Sequence, residues 1–435
     1  MNFAYRAYNC LTTGLFLTLF PPFCLYSLIT GKHRGSLSQR LGVYPEWLLR
    51  GISGSPRIWI HAASVGEVGA AAAIVESLIA GIPDSSLILS TTTPHGQTVA
   101  QEKLASKATC IYAPLDFISA TRKALSTINP DILVCLETEI WPHWFLEAHK
   151  MGIKTALING RISVRSIKGY LKIRPLMRET LKHIDAFSMI SEADALRIKM
   201  IGAPRDRIEV NGNAKYDLLL SQVDVSLKST MERRYDINGD RPVFVAGSTR
   251  NSEEKIILDV YQKILQFVPE TVLIIAPRHV NRAQSIADLV NDRGFSYQLR
   301  TELDKKDAFR TAPVVIVDTI GELKATYSIA SIVFCGGSLV PLGGQNVLEA
   351  AVWSKPVLYG PSMEDFLDAI ELLDKTGGGI PVKDGHDLAE KAIYYLTHPE
   401  EAEKIGKSAQ KAVLSNQGAA EKHAAVIQRL LNPDV

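Results

Sequence analysis

Trp59-Ile60-His61-Ala62-Ala63-Ser64-Val65-Gly66-Glu67 carries the chain from an apolar strand into an alanine-rich helix, and the reading of this turn decides the fold. Residues 57–62 form the apolar run of a short buried strand, Ser64 and Gly66 make the turn, and 68–80 holds strong helix formers. Glu67 therefore falls at or just before the first helical turn. Two roles fit a lone carboxylate there: a cap for free N–H groups at the positive end of the dipole, or a catalytic base. The junction by itself leaves both open.

Outward from this turn, the same unit repeats. Strand patterns at 58–61, 86–91, 109–112, 132–136, 155–159, 186–190 and 208–211 alternate with helix patterns at 68–80, 96–107, 117–128, 142–150, 175–184 and 192–201. Such alternation predicts a parallel sheet covered on both faces. A second series has strands at 243–246, 272–276, 314–317, 332–335 and 356–359, again with helices between. The expectation is α/β: two doubly wound, Rossmann-like units in tandem, separated in the polar stretch 221–239. The division reads as a membrane anchor over 1–31, a first unit over 32–225 and a second unit over 226–435, with the last helix packing back on the first. Neither series carries a G-x-G-x-x-G or P-loop pattern, which argues against dinucleotide and P-loop sites. Ligands of such sheets bind beyond the carboxyl ends of the strands, so a cleft between facing domains and the strand-to-helix loops are where function is expected.

Size and charge agree. A chain of 435 residues suits two domains. A net charge of +2 offers no electrostatic case for a nucleic-acid partner, and 46% hydrophobic with 22% charged residues describes a folded protein. Cys10, Cys24, Cys110, Cys135 and Cys335 are scattered without a Cys-x-x-Cys pair, which argues against a zinc site or a disulfide framework and for a reducing compartment. Residues 7–31 carry no charge and match the length that crosses a bilayer, so they read as a membrane anchor. Lys32, His33, Arg34 and Arg40 follow it and only Arg6 precedes it, which places the C-terminal part in the cytoplasm. Pro21 and Pro22 would kink a spanning helix, and a monotopic hairpin or interfacial helix is the alternative. A cleaved signal peptide fits poorly, because no small-x-small site follows and the neighbours are basic.

Several loops carry the chemistry. The segment 335–349 (CGGSLVPLGGQNVLE) joins a strand to a helix, with Gly336, Gly337, Gly343 and Gly344 allowing close backbone approach and a helix terminus suited to phosphate. Asn346 and Glu349 share one face of its opening turn, where Glu349 could accept from sugar hydroxyls; a glycine turn needed only for packing is the alternative. Ser248 and Thr249 end one strand, and Arg278 and His279 end the next as a phosphate clamp and a donor, although a lone arginine there also suits a surface ion pair. In the first half, 91–96 (TTTPHG) and 137–142 (ETEIWP) also sit at strand ends. Glu137 and Glu139 would share a face in extended chain, or cap the helix opening at Pro142; no metal pair is read there. Arg161, Arg165, Lys168, Lys172 and Arg174 form a basic run that, with Lys32, Arg34 and Arg40, suits an anionic lipid surface or phosphorylated acceptor, or an ordinary solvated face.

Taken together, these segments resemble the Kdo transferases, which glycosylate lipid A precursors with 3-deoxy-D-manno-octulosonic acid (Kdo) in Gram-negative bacteria. The resemblance runs through 61–67 (HAASVGE), 91–96, 137–142, 161–170 (RISVRSIKGY), 212–217 (GNAKYD), 246–249, 276–282 (APRHVNR), 318–323 (DTIGEL), 336–338 and 343–349. Three positions depart from the family pattern: Gln345 stands where histidine is usual, His143 where asparagine is common, and Gly160 where alanine precedes the arginine. The resemblance implies a GT-B glycosyltransferase on the cytoplasmic face of the inner membrane, moving Kdo from CMP-Kdo to lipid IVA, with one or more additions. It implies an inverting transfer without metal or other cofactor, in which Glu67 takes the acceptor's proton. The donor set it implies is Ser248, Thr249, Arg278, His279, Gly337, Ser338, Asn346 and Glu349, with Arg278, N–H groups around Ser248 and Gly337 and the Asn346 helix terminus neutralising phosphate and Glu349 on the ribose. Arg161, Arg165 and Glu137 form the acceptor set, with Lys215 and Asn213 as lining groups. A helix N-terminus lowers a carboxylate's pKa, whereas a base for an alcohol works better with a raised one, and desolvation is the effect that would reconcile them. Rival readings are another GT-B enzyme, such as a sugar 2-epimerase, and a non-catalytic binder of phosphorylated lipid.

Overall fold

The apolar runs of the first half become one parallel sheet because each is buried on both faces, which demands covering helices rather than a polar side. Its strands are β1 Arg57–His61, β2 Ser86–Thr91, β3 Thr109–Tyr112, β4 Ile132–Leu136, β5 Lys154–Gly160, β6 Ala186–Met189 and β7 Ile208–Val210, in spatial order β3-β2-β1-β4-β5-β6-β7. Pleating sends alternate side chains to opposite cores: Trp59, Ile88, Leu133 and Leu157 to one, Ile58, Ile60, Leu87 and Val134 to the other. The order reverses between β1 and β4, so the ligand crevice of this sheet lies at the carboxyl ends of those two strands.

In this computed structural model the described residues are 3–30, 34–217, 219, 224–237, 241–305 and 309–432. They divide into two compact units, Met1–Leu218 with Gln417–Val435, and Leu219–Asn416. Lys32, His33 and part of the polar stretch 221–239 lie outside the described residues. Helices of the first unit are α1 Phe3–Thr30, α2 Arg34–Arg40, α3 Glu46–Leu49, α4 Val65–Gly81, α5 Pro94–Leu104, α6 Ile118–Ile128, α7 Pro142–Lys150, α8 Val164–Lys172, α9 Arg174–Leu181 and α10 Glu192–Ile201. The sequence pattern missed α8, whose basic residues mask a helical period.

The second unit holds β8 Val243–Thr249, β9 Val272–Pro277, β10 Tyr297–Leu299, β11 Val314–Ile316, β12 Ile332–Cys335, β13 Val357–Tyr359 and β14 Gly379–Pro381, in order β10-β11-β9-β8-β12-β13-β14. Here the reversal falls between β8 and β12. The outer strands β10 and β14 escaped the sequence reading because each is three residues long and at a sheet edge, where burial is incomplete.

One face of the first sheet is covered by α6, α7, α9 and α10, but the other receives only α4 and α5 from the same stretch of chain. The gap over β4, β5 and β6 is filled by the C-terminal helix Ala419–Leu431, whose Ala420, Ala424, Val426 and Ile427 join that core. Its polar fastenings are specific. Asp217 accepts the N–H groups of Gly418 (3.0 Å) and Ala420 (2.6 Å). The fully buried His423 lies between Ser188 Oγ (2.7 Å) and the Gly212 carbonyl (3.0 Å), and burial lowers its pKa to about 4, which keeps the ring neutral. Replacing Asp217 by alanine removes this cap and should destabilise the first unit by about 1–2 kcal/mol. Urea unfolding followed by circular dichroism checks it, and an unshifted midpoint would count against the cap.

Candidate active site

Ser64 is the extended residue before α4 (φ −128°, ψ 169°), and Glu67 is the third helical residue. Its carboxylate turns back out of the helix. One oxygen accepts the Ala63 N–H at 2.8 Å and the other the Ser64 hydroxyl at 3.0 Å. The capping role therefore holds in part, but for a single backbone donor, and the side chain is only 9% exposed. The Ala63 carbonyl accepts Thr92 N–H (3.2 Å) and Thr93 N–H (3.3 Å), which ties this turn to the loop after β2.

The loop after β4 supplies two more carboxylates. Glu137 sits in the left-handed region (φ 53°), an uncommon backbone for a residue with a side chain, and its carboxylate ion-pairs with Lys215 Nζ. Glu139 accepts Trp141 Nε1 at 2.7 Å and lies 3.5 Å from His61 Nε2, while His61 Nδ1 is 3.1 Å from the Ser90 carbonyl. Burial works to raise the Glu139 pKa, but His61 and Trp141 outweigh it and hold the group below the usual range. The structure thus brings Glu67, Glu137, Glu139, His61 and Lys215 to the reversal point of the first sheet. Glu137 is paired with Lys215 and Glu139 faces His61, whereas the Glu67 carboxylate is held by the Ala63 N–H and the Ser64 hydroxyl.

The consequence is electrostatic. Burial first, and the negative charges of Glu137 and Glu139 second, push Glu67 up to about 7, against the opposing bonds from Ala63 and Ser64. Desolvation by the protein itself therefore overcomes the helix terminus. Arg161 is drawn to the same place through its N–H, 3.4 Å from the Glu137 carbonyl, and is half-buried; Arg165 lies exposed in the first turn of α8. Lys215 is positioned by Ala214, whose N–H donates to Asn159 Oδ1 at 2.9 Å, and by Asn213 Oδ1, which accepts the Lys215 N–H at 3.1 Å.

In the second unit the loops after β8, β9 and β12 carry the expected donor residues, with corrections. The N–H groups of Gly337 and Ser338 are not open to a phosphate. Glu253 accepts them at 2.6 and 3.1 Å, together with those of Leu339 (3.0 Å) and Arg250 (2.9 Å). Ser338 is fully buried, its hydroxyl donating to the Cys335 carbonyl and accepting Gly360 N–H (2.8 Å). Thr249 is likewise fully buried and donates to Glu254 (2.9 Å), which also takes both terminal nitrogens of Arg282 (2.6 and 3.0 Å). The helix expected after Asn346 is one turn, Leu348–Ala351, and the Asn346 side chain already accepts the Leu348 N–H (3.1 Å), so no helix-end charge of useful size remains.

The remaining expected groups differ in access. Ser248 is buried and adopts φ 55° at the register break between Gly247 and Thr249, whereas Arg278 and His279 are exposed at the end of β9. Glu349 lies 3.6 Å from Lys324 Nζ, and burial raises its pKa against the pull of Lys324 and Arg278. Sequence reasoning missed Glu253, Glu254, Arg282 and Lys324. Adjacent glutamates at the start of helix Glu253–Ile264 look like ordinary dipole partners, and the loop that Glu253 organises is 84 residues away.

Two tandem Rossmann-like units with these reversal points make the chain a GT-B protein. The solved structures of UDP-GlcNAc 2-epimerase from Neisseria meningitidis (TM-score 0.61, 15% identity, 87% of this chain and 100% of that one) and of a glycosyltransferase from Rickettsia africae (TM-score 0.59, 15% identity, 87% and 99%) share the fold. Residues 35–218 match the family model described as 3-Deoxy-D-manno-octulosonic-acid transferase (kdotransferase). The 3-deoxy-D-manno-octulosonic acid transferase of Haemophilus influenzae is 30% identical over 94% of this chain and 92% of its own length, and that of Chlamydia muridarum 28% identical over 96% and 95%. The chain belongs to the Kdo transferase family, the glycosyltransferases of lipopolysaccharide biosynthesis.

The Glu253 arrangement makes its own prediction. Glu253→Ala strands four N–H groups, those of Gly337 and Ser338 buried, each costing roughly 1–3 kcal/mol where water does not replace the carboxylate, so a loss of about 3 kcal/mol is expected. Glu253→Gln retains one acceptor oxygen and should lose less. Denaturant midpoints of the two variants measure this, and an alanine variant as stable as the parent would remove the role.

Proposed function

We propose that this enzyme transfers Kdo from CMP-Kdo to a hydroxyl of lipid IVA with inversion, and that Glu67 is the general base. The observation that carries the reading is the Glu67 environment, a buried carboxylate pushed up to about 7 while its neighbours Glu137 and Glu139 are matched by Lys215 and His61. A base for an alcohol is most effective when its pKa lies near the operating pH. Glu67 takes the acceptor proton as the acceptor oxygen bonds to the anomeric carbon, and the bond from that carbon to the phosphate oxygen breaks to release CMP. Arg278 and Lys324 balance the charge of the leaving phosphate, Ser248, His279 and Asn346 line the donor, and Glu349 holds the ribose hydroxyls. Arg161 and Arg165 meet the acceptor's phosphates. No metal is needed in this scheme. The apolar helix α1 holds the enzyme at the cytoplasmic face of the inner membrane, where its lipid substrate is.

Three outcomes follow for the purified enzyme. Glu67→Gln should still bind CMP-Kdo while transfer falls by roughly 10²–10⁴-fold, the usual worth of a general base; near-normal turnover with intact donor binding sinks the role. Because Glu67 must be ionised to act, kcat/KM should fall as pH drops through about 7. Glu137→Gln removes a repelling charge, so the acid limb of the profile should move to lower pH. A limb that stays in place, or moves up, contradicts the coupling.

A further inference from the structure

Helix α1 has 28 residues, a length of about 42 Å, and an apolar stretch over Phe3–Ser27, enough by length and composition to cross the ~30 Å hydrocarbon core of a bilayer. Its first four turns, however, are fastened to the first unit by polar side chains. The Tyr5 hydroxyl is 2.7 Å from His143 Nδ1, Thr12 Oγ1 is 3.0 Å from His143 Nε2, and Tyr8 donates to Asp116 at 2.6 Å. Asp116 also accepts the His143 N–H at 3.1 Å, and Phe16 stacks on Phe117 with centroids 4.1 Å apart and planes 7° from parallel. Tyr5 and His143 are buried. Burial lowers His143 to about 4, which keeps the imidazole neutral, and raises Asp116 to about 7 against the bonds from Tyr8 and His143.

The far flank of α1 is fastened to the same unit. Three residues separate it from α2, where Gln39 accepts the Tyr112 N–H (2.8 Å), Arg40 accepts the Leu115 N–H through its carbonyl (2.8 Å), and the Arg40 guanidinium donates to the Thr92 carbonyl (2.6 Å). Both flanks thus sit on one soluble domain, whereas a spanning helix must leave them on opposite sides of the membrane. The prolines agree. Pro21 and Pro22 leave the carbonyls of Leu17 and Thr18 without their helical donors. In a span centred on the apolar stretch those carbonyls would lie near the bilayer midplane, where unsatisfied backbone costs several kcal/mol; at a headgroup boundary water satisfies them.

The geometry points to a one-leaflet anchor: residues 17–30 leave the carboxyl end of the first sheet beside Phe117 and dip into the facing leaflet, and the chain returns to the same side in α2. Fourteen helical residues reach about 21 Å, which suits one ~15 Å hydrocarbon leaflet with its interface and not a whole bilayer. The exposed large apolar side chains of this half are Leu17, Leu19, Phe23, Leu25, Tyr26 and Ile29. A second element suits the lipid surface from the same end of the sheet. Helix α8, which follows β5, shows exposed Val164 and Leu171 among exposed Arg165, Lys168 and Lys172, with no acidic residue from 161 to 174, and the next helix, α9, packs against α1. Apolar side chains within a basic helix match an anionic headgroup layer. Glu67 follows β1 at that same end, so the anchor turns the base toward the leaflet that carries the acceptor.

This inference rests on α1 being a membrane segment, and its test separates the two. In the full-length protein with Cys10→Ser and Cys24→Ser, single cysteines are introduced at the exposed positions Phe3→Cys and Trp47→Cys and treated with a membrane-impermeant maleimide in everted vesicles and in intact spheroplasts. Labelling of both positions in everted vesicles and of neither in spheroplasts is the expected result. Phe3→Cys labelled only in spheroplasts, or only after detergent, overturns the one-leaflet anchor while leaving the membrane segment standing. Release of the unlabelled protein from vesicles by alkaline carbonate overturns both. None of these readouts depends on transfer activity.

Discussion

Three carboxylates share the reversal point of the first sheet with two cationic or cationisable partners, and the rest of the site depends on that imbalance. Lys215 and His61 answer Glu137 and Glu139, so the repulsion left over falls on Glu67, already taken out of water by the turn that holds it. Desolvation supplies the larger share of the rise and like charge the smaller. A helix start alone would have had the opposite effect, and it loses because only one N–H and one hydroxyl reach the carboxylate.

The second unit shows the opposite use of the same position in the fold. Glu253, like Glu67, lies in the first turn of the helix that follows the first strand in sequence of its sheet and is buried, but four backbone N–H groups converge on it from two loops. A carboxylate so saturated has little room to take a proton from a substrate, since a proton on either oxygen would meet an N–H. It is therefore suited to shaping the glycine loop at 336–344, whereas Glu67, with two bonds in total, keeps a lone pair for chemistry. The number of donors, rather than the residue type or its place in the helix, separates the two roles.

Much of the fold was legible because parallel strands buried on both faces write long apolar runs, and the strand-to-helix turn at 59–67 reads directly from composition. The short edge strands β10 and β14 were not legible, since three residues leave no period to detect. Nor was the fate of the glycine-loop N–H groups. Glycines advertise backbone access, but whether that access serves a ligand or the protein depends on a partner 84 residues distant. Two segments of the resemblance also serve as fastenings: Asp318 and Glu322 of DTIGEL bind Thr301 and Arg300, and Asp217 of GNAKYD caps the C-terminal helix while Lys215 of the same segment pairs with Glu137. His143, one of the positions that departs from the family pattern, is the residue that holds Tyr5 and Thr12 of α1.

The C-terminal helix connects these threads physically. It returns to the first unit because the apolar face over β4, β5 and β6 has no other cover, and in doing so it fixes the 211–217 segment from both sides, through His423 on the Gly212 carbonyl and Asp217 on Gly418 and Ala420. Between those two points lies Lys215, the cation that answers Glu137, with Ala214 held to Asn159. Were this segment loose, Glu137 would lose its partner and the charge balance that sets Glu67 would shift. Packing at the end of the chain is thereby coupled to the ionisation of a carboxylate near its beginning, through one lysine.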